Sequence, residues 1–159
     1  MINCIVAVDK NQGIGFNGQL PWPHLKEDML WFKTITSNNV VVMGSKTFKS
    51  LPKPLPNRIN VVISKNKLEN CDHTFNDPGT ALDFLLNKYQ DKEIFIIGGE
   101  AIYQQYMDII DRFYITEINH EYQCDRYFDL TYVKNNAFQV KKIAEFSDPV
   151  PYSINEYLI

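Results

Sequence analysis

The chain has 159 residues, 45% of them hydrophobic, which is enough for one substantial core but too little for two ordinary domains. Sixteen basic and 19 acidic residues give a net charge of −3 and are scattered along the sequence, so we expect no nucleic-acid partner. The three cysteines, Cys4, Cys71 and Cys124, have no metal-binding spacing and are expected to be reduced thiols. We therefore expect a single domain over residues 1–159, without a bound metal.

The N-terminal residues have no feature of a targeting signal. Residues 1–5 contain no basic segment followed by a cleavage site, and their apolar run is far shorter than a membrane span. We therefore expect a cytoplasmic protein that does not enter a membrane.

The first part of the chain alternates apolar runs of strand length with short helical segments. Strands are predicted over residues 2–8, 39–43 and 59–64, and the first is apolar enough for burial on both faces. Helices are predicted over residues 25–35 and 45–51. Three prolines impose a loop between the second of these helices and the third strand.

A third helix is predicted to begin at Asp77 and Pro78, which form an N-cap and first-turn pair. We expect this helix to direct Leu82, Leu85 and Leu86 toward the core. After it, a buried strand is predicted over residues 93–97 and a helix over residues 101–107.

The pattern changes beyond residue 111. Strands are predicted over residues 112–119, 137–145 and 152–159, with no helix between them, which favours an antiparallel edge. Together the elements predict an α/β fold: a central, mixed, mostly parallel twisted sheet of about eight strands, with an antiparallel C-terminal strand and about four flanking helices.

The helix over residues 25–35 carries a carboxylate on its apolar side. Its apolar positions recur at helical spacing: Leu25, Met29, Phe32 and Ile35. Asp28 falls between them, whereas Glu27 points toward solvent. A charge in apolar surroundings is costly unless a partner compensates it. From the helix alone, the ordinary interpretation is a partly buried Asp satisfied by local hydroxyls or amides.

Six ordered motifs span nearly the whole chain. They are Gly15 with Leu20-Pro21-Trp22, then Asp28, Met43-Gly44-Ser45-Lys46-Thr47-Phe48, Leu55-Pro56-Asn57-Arg58, Ile97-Gly98-Gly99 and Tyr114-Ile115-Thr116. Two adjacent glycines alone would be weak evidence, but the ordered set at compatible spacings is highly specific. In these motifs the chain resembles dihydrofolate reductases.

The resemblance implies an NADPH-dependent reduction of 7,8-dihydrofolate to 5,6,7,8-tetrahydrofolate by a monomer. Hydride would go to C6 and water would protonate N5, in support of one-carbon metabolism and thymidylate synthesis. Asp28 would hold N3 and the 2-amino group of the pteridine, with Thr116 as its hydroxyl partner. Trp22 and Leu20 complete the implied catalytic set.

The resemblance also assigns the substrate pocket. The residues implied to surround the pteridine and its neighbouring rings are Ile5, Val6, Ala7, Met29, Phe32 and Ile97. Without the motifs, ordinary core packing would be the better interpretation of these residues. Leu51 and Leu55 would pack on the benzoyl ring, Arg58 would bind the α-carboxylate of the glutamate tail, and Lys53 would assist Arg58.

The implied cofactor site includes two helix N-termini facing the pyrophosphate, a cis peptide at Gly98-Gly99, and Lys46, Ser64 and Lys65 around the 2′-phosphate. The remaining implied cofactor contacts are Ala7, Ile14, Gly15, Gly18, Leu20, Gly44, Ser45, Thr47, Ile63, Ile97, Glu100, Ala101, Ile102 and Tyr103.

Residues 11–20, which contain three glycines, resemble the active-site lid of the family. Asp125 matches a residue that accepts hydrogen bonds from the closed lid, and a solvated turn Asp is the alternative. His24, His73 and His120 match no catalytic position and are treated as surface residues.

Three positions depart from the family pattern. The segment between Trp22 and the acid is one residue longer than in the commonest bacterial version, which leaves Glu27 as a rival to Asp28, and helical phase favours Asp28. Ser45 stands where many members carry a basic residue. Glu100 stands where a small residue is frequent, and its charge could repel pyrophosphate or favour the helix N-terminus.

Two other functions remain as alternatives. One is the related reductase domain of riboflavin synthesis, which gives no reason to keep both Asp28 and Arg58. The other is a non-catalytic folate-binding or nucleotide-binding protein with the same fold.

Overall fold

The computed structural model of the protein describes all 159 residues. Its strands are β1 (Ile2–Val8), β2 (Gly13–Gly15), β3 (Val40–Gly44), β4 (Ile59–Ile63), β5 (His73–Phe75), β6 (Ile94–Gly98), β7 (Arg112–Ile118), β8 (Arg126–Tyr127), β9 (Gln139–Phe146) and β10 (Tyr152–Leu158). Its helices are α1 (Lys26–Thr36), α2 (Ser45–Ser50), α3 (Pro78–Lys88), α4 (Glu100–Tyr106) and α5 (Leu130–Asn136), and a 3-10 turn covers Met107–Ile109. The longest helices have 11 residues, and no helix has the apolar length that crossing a membrane requires.

Eight strands form one sheet in the order β5-β4-β3-β6-β1-β7-β10-β9, and β2 and β8 form a separate two-stranded sheet. From β5 to β7 every neighbouring pair is parallel. Strand β10 is antiparallel to both β7 and β9. The predicted fold class is therefore confirmed.

Both faces of the central strands are buried, which explains why these strands are continuously apolar. On one face, Cys4 and Val8 of β1 belong to a cluster of 19 buried residues that also includes Tyr103 of α4 and Val133 of α5. On the other face, Ile5 belongs to a second cluster, against which side chains of α1 pack. Helices α4 and α1 therefore pack on opposite faces of the sheet.

Helix α5 lies in the stretch for which no helix was predicted, so the fold has five α-helices rather than about four. Its N-cap is Asp129, whose side chain accepts a 3.0 Å hydrogen bond from the backbone N–H of Tyr132. Only Leu130 and Val133 of this helix are buried. Seven residues with two core positions are too short to display a helical period, which is why the prediction failed.

Two side-chain predictions were also wrong. Leu86 is 46% exposed, because Ala81 and Leu85 form the buried side of α3 and the next position is rotated about 100° away. His73 is not a free surface residue, since it is half-buried and its Nε2 lies 2.7 Å from the hydroxyl of Tyr89. Strand β5, which contains His73 and forms one edge of the sheet, was not predicted because it has only three residues.

Candidate active site

A cleft forms where the central parallel strands end. In an open sheet of this kind, the carboxyl ends of neighbouring parallel strands meet at one edge, which is where ligands bind. Here β3 ends at Gly44 and β6 at Gly98, and the two strands are hydrogen-bonded neighbours. On the other side of β6, Ala7 of β1 lies opposite Thr116 of β7. This edge collects most of the residues that the motifs single out.

Asp28 and Thr116 meet at this edge. Thr116 Oγ1 donates a 2.5 Å hydrogen bond to Asp28 Oδ1, which joins the first turn of α1 to the sheet. Burial raises the pKa of the Asp28 carboxyl, and the hydrogen bond from Thr116 lowers it in part. The neighbouring Glu27 is exposed, so Asp28 is the acid of α1 that faces the cleft.

Apolar side chains lie on α1, the helix that carries Asp28, and in the segment just before it. Trp22 is buried, shares a cluster with Leu25, and meets the ring of Tyr122 edge-on at 6.2 Å between centroids. Phe32 is half-buried against the cluster that contains Ile5. Met29 is 44% exposed, because the start of α1 faces the open cleft rather than the core.

Arg58 is held in place by two hydrogen bonds and a ring. Its Nε donates to the carbonyl oxygen of Pro56 at 2.8 Å, and its Nη1 donates to Thr36 Oγ1 at 3.1 Å. The guanidinium carbon lies 5.9 Å from the centroid of Phe32, at cation–π distance. Burial lowers the pKa of Arg58. The side chain is therefore oriented in advance, with guanidinium N–H groups left for a ligand.

The other residues that the resemblance assigns to the substrate tail precede this arginine in the sequence. Leu51 and Leu55 are half-buried and pack against the same apolar cluster as Phe32. Lys53 is exposed. The arrangement provides an apolar wall with one fixed cation near it.

Helices α2 and α4 begin close together beyond β3 and β6, with very little side-chain bulk between them. A Cβ at Gly99 would lie 3.5 Å from Thr47 Oγ1, and one at Gly44 would lie 3.1 Å from Cγ1 of Ile102. The Gly98-Gly99 peptide is cis, as the resemblance implied. Backbone can therefore be approached closely here, and this glycine-lined gap fits a pyrophosphate.

The remaining cofactor-side residues differ in exposure. Lys46, Lys65, Gly18, Leu20 and Ala101 are exposed, and the half-buried ones are Ala7, Ile14, Gly15, Ser45, Thr47, Ile63, Ser64 and Ile97. Tyr103 is buried, and its hydroxyl donates a 2.9 Å hydrogen bond to the carbonyl of Ile5. Its pKa is raised well above the ordinary range by burial.

Glu100 has a defined partner. Its Oε2 accepts a 2.6 Å hydrogen bond from the backbone N–H of Tyr127 in β8. This bond directs the carboxylate to the two-stranded sheet rather than leaving it free, a contact that sequence patterns give no means to foresee.

The glycine-rich segment lies against the loop that contains Asp125. The backbone N–H of Asn17 donates to Asp125 Oδ2 at 3.1 Å, and the Asp125 N–H donates to the carbonyl of Gly15 at 2.8 Å. The expected contact between lid and Asp125 is thus present. Asp9, which no motif singled out, is 3% exposed beneath the same segment. Its only signal in the sequence is its position directly after a buried strand.

Comparisons with known proteins agree with this geometry. A family model described as "Dihydrofolate reductase" matches residues 1–158. The chain is 40% identical over 141 residues to the type 9 dihydrofolate reductase of Escherichia coli, covering 84% of this chain and 79% of that protein. It is 39% identical over 131 residues to the dihydrofolate reductase of Bacillus subtilis (80% and 75% covered), and 35% identical over 146 residues to that of Bos taurus (80% and 78%). The chain therefore belongs to the dihydrofolate reductase family.

Proposed function

We propose that this protein reduces 7,8-dihydrofolate to 5,6,7,8-tetrahydrofolate with NADPH, and so supports one-carbon metabolism and thymidylate synthesis. The observation that carries the proposal is the partly buried Asp28 carboxylate, fixed by Thr116 at the carboxyl edge of the sheet. A carboxylate there matches the planar amidine-like edge of a pteridine, formed by N3 and the 2-amino group.

Asp28 acts by orientation and electrostatics. In surroundings of low dielectric constant its charge is strong, so it holds the pteridine in one pose and raises the proton affinity of the ring. Thr116 keeps the carboxylate oxygen in position. Water, rather than Asp28, delivers the proton to N5, and Leu20 and Trp22 limit how much water reaches the ring.

The rest of the substrate lies along α1 and the loop after α2. Met29 and Phe32 pack on the aromatic rings, Leu51 and Leu55 on the benzoyl group, and Arg58 binds the α-carboxylate of the glutamate tail. Lys53 assists from the surface. Ile5, Ala7 and Ile97 form the apolar floor beneath the pteridine. Val6 lies between the first two in β1, and its side chain belongs to the cluster on the opposite face of the sheet.

The cofactor site fits NADPH, which supplies the hydride for C6 when it is bound. Residues 44–47 and 98–103 bind the pyrophosphate region through backbone N–H groups at the glycine-lined gap. Lys46, Ser64 and Lys65 recognise the 2′-phosphate, and Ile63 packs beside them. Ile14, Gly15, Gly18 and Leu20 close over the nicotinamide side and exclude water.

We also infer that residues 1–159 act as one domain, as a monomer and in the cytoplasm. One eight-stranded sheet runs from the first strand to the last, which supports a single folding unit. The three cysteines are free, which is usual for a reducing compartment.

The test follows NADPH absorbance with purified protein and dihydrofolate, alongside two matched neutral variants of neighbouring acids, Asp28→Asn and Glu27→Gln. Turnover should require dihydrofolate, prefer NADPH to NADH, and fall by about a hundredfold or more in Asp28→Asn. Glu27→Gln should retain it. Loss in Glu27→Gln with retention in Asp28→Asn would show that the acid is misassigned. Wild-type protein that binds NADPH but consumes none would refute the reductase function.

A further inference from the structure

Asp9 is the only charged residue among the buried ones, at 3% exposure. A buried charge is tolerated only when it is well compensated by partners. The proposed reaction assigns Asp9 no role, since it lies at the end of β1 below the lid rather than beside Asp28. Its four hydrogen-bond donors therefore indicate what it does.

The two carboxylate oxygens of Asp9 serve two different segments. Oδ1 accepts from the backbone N–H groups of Asn11 at 2.9 Å and Gly13 at 2.7 Å, at the root of the lid. Oδ2 accepts from the N–H of Tyr122 at 2.9 Å and from the thiol of Cys124 at 3.6 Å, in the loop before β8. One side chain thus joins the root of the lid, residues 11–13, to residues 122–124.

The two segments are packed without spare room. A Cβ on Gly13 would lie 2.2 Å from Cys124 Sγ, so the root of the lid rests directly on the thiol. Beyond this contact, Gly13 pairs with Tyr127 in the two-stranded sheet. The N–H of Tyr127 in turn donates to Glu100 at the start of α4. A shift at Asp9 would therefore reach both the lid and the helix at the cofactor gap.

We propose that Asp9 is a positioning residue for the lid, whose carboxylate fixes residues 11–13 to residues 122–124 and so holds residues 14–20 beside the start of α4. The proposal deepens the reductase function and rests on it for its kinetic consequence. The claim that Asp9 fixes the lid does not depend on the reaction and can be tested in the ligand-free protein.

The first test substitutes Asp9→Asn. Asparagine has one acceptor oxygen, so the segment that faces its amide nitrogen loses its acceptor and meets a donor instead. We expect hydrogen exchange of the amides of residues 13–17 to accelerate by about tenfold or more in the ligand-free protein, since bonds to a charged acceptor are the stronger ones. Single-turnover hydride transfer with NADPH and dihydrofolate should slow by a similar factor.

The matched control is Asp77→Asn. Asp77 also accepts from a backbone N–H and a side chain, both of Thr80 at 2.8 Å, but it caps α3, away from the lid. The Asp77→Asn variant should have a lower thermal stability but unchanged hydrogen exchange in the lid and an unchanged rate of hydride transfer. If Asp9→Asn changes these two readouts no more than Asp77→Asn does, the carboxylate only stabilises the fold and the proposal is wrong.

A second variant decides the question if Asp9→Asn does not fold. Gly13→Ala places a Cβ 2.2 Å from Cys124 Sγ and 3.1 Å from Asp9 Oδ1, so it forces the root of the lid away from both partners while the carboxylate keeps its charge. It should produce the same two changes. Wild-type exchange and hydride transfer in Gly13→Ala would overturn the proposal. If the wild-type protein does not reduce dihydrofolate, the proposed function fails, whereas the exchange comparison in the ligand-free protein still decides whether Asp9 fixes the lid.

Discussion

Thr116 provides the only hydrogen bond that the Asp28 carboxylate receives from another side chain, at 2.5 Å. The bond joins the carboxyl-end part of β7 to the first turn of α1. Burial and this hydrogen bond act on the pKa of Asp28 in opposite directions, and burial has the larger effect. Removing the hydrogen bond tests how much it lowers the pKa of Asp28.

Replacing Thr116 by valine removes the hydroxyl and keeps the shape of the side chain. Because the hydroxyl donates to the charged form of Asp28, we expect the pKa of Asp28 to rise further above its ordinary value. Titration of the side-chain ¹³C signal in aspartate-labelled protein measures it, with Asp28→Asn identifying the signal. An unchanged or lower pKa in Thr116→Val would show that the hydroxyl does not stabilise the carboxylate.

Asp28→Asn should stabilise the ligand-free protein at neutral pH. Since the pKa of Asp28 is raised in the folded state, ionising this group opposes folding: its contribution is favourable below the unfolded-state pKa and is lost as pH rises through the folded-state pKa. Urea unfolding near pH 7 should give a higher midpoint for the variant than for the wild type. The difference should shrink as the pH falls toward 4. A variant less stable than the wild type at neutral pH would contradict the assignment.

The strands of the sheet interior could be predicted because each is a continuous apolar run. For β1, β3, β4 and β6 the predicted and observed boundaries differ by one residue at most at each end. Short elements could not be predicted, because three residues in β2 or two in β8 form no period. Those elements pair the lid segment with the loop after β7, so the lid was recognised from its glycines while the pairing that holds it was not predicted.

Asp28 was recognisable because helical phase placed it among apolar residues, and its partner Thr116 came only from the family resemblance. Glu100 and Asp9 illustrate the limit. The partner of Glu100 lies 27 residues away in the chain. Asp9 has local contacts to residues 11 and 13, but its other partners lie at least 113 residues away. Such pairings depend on how β8 and its preceding loop return to the sheet edge, which no local pattern specifies.

Arg58→Lys should weaken binding of substrates that carry the glutamate tail. Lysine keeps the charge but loses the planar fork that Pro56 and Thr36 hold in place. We expect kcat/KM for dihydrofolate to fall by about tenfold or more, mainly through KM.

A reduced pterin without the glutamate tail is the control substrate for Arg58→Lys. Its kcat/KM should change little, because it offers no carboxylate to the arginine. Equal losses for both substrates would indicate that Arg58 supports the pocket structure and does not bind the tail.

Neutralising Lys46 and Lys65 together should weaken NADPH binding far more than NADH binding. Both side chains are exposed, so their effect is electrostatic and should diminish as salt concentration rises. Fluorescence titration of Lys46→Gln/Lys65→Gln with each cofactor measures the ratio of the two affinities, and Lys49→Gln, one turn further along α2, is the control. If both cofactors lose affinity equally, the two lysines do not recognise the 2′-phosphate.

Cys124 should react slowly with alkylating reagents while the lid root is in place. Burial, and then the negative charge of Asp9, raise the pKa of its thiol from 9.0 to about 11. Since only the thiolate reacts, the rate with iodoacetamide at about pH 8 should be roughly a hundredfold lower than in urea-unfolded protein. Mass spectrometry of the Cys124 peptide measures both rates. The Asp9→Asn variant should react faster than the wild type in the native state, because the substitution removes a negative charge next to the sulfur. Equal rates in native and unfolded protein would mean that the thiol is not held against Asp9 and Gly13 in solution.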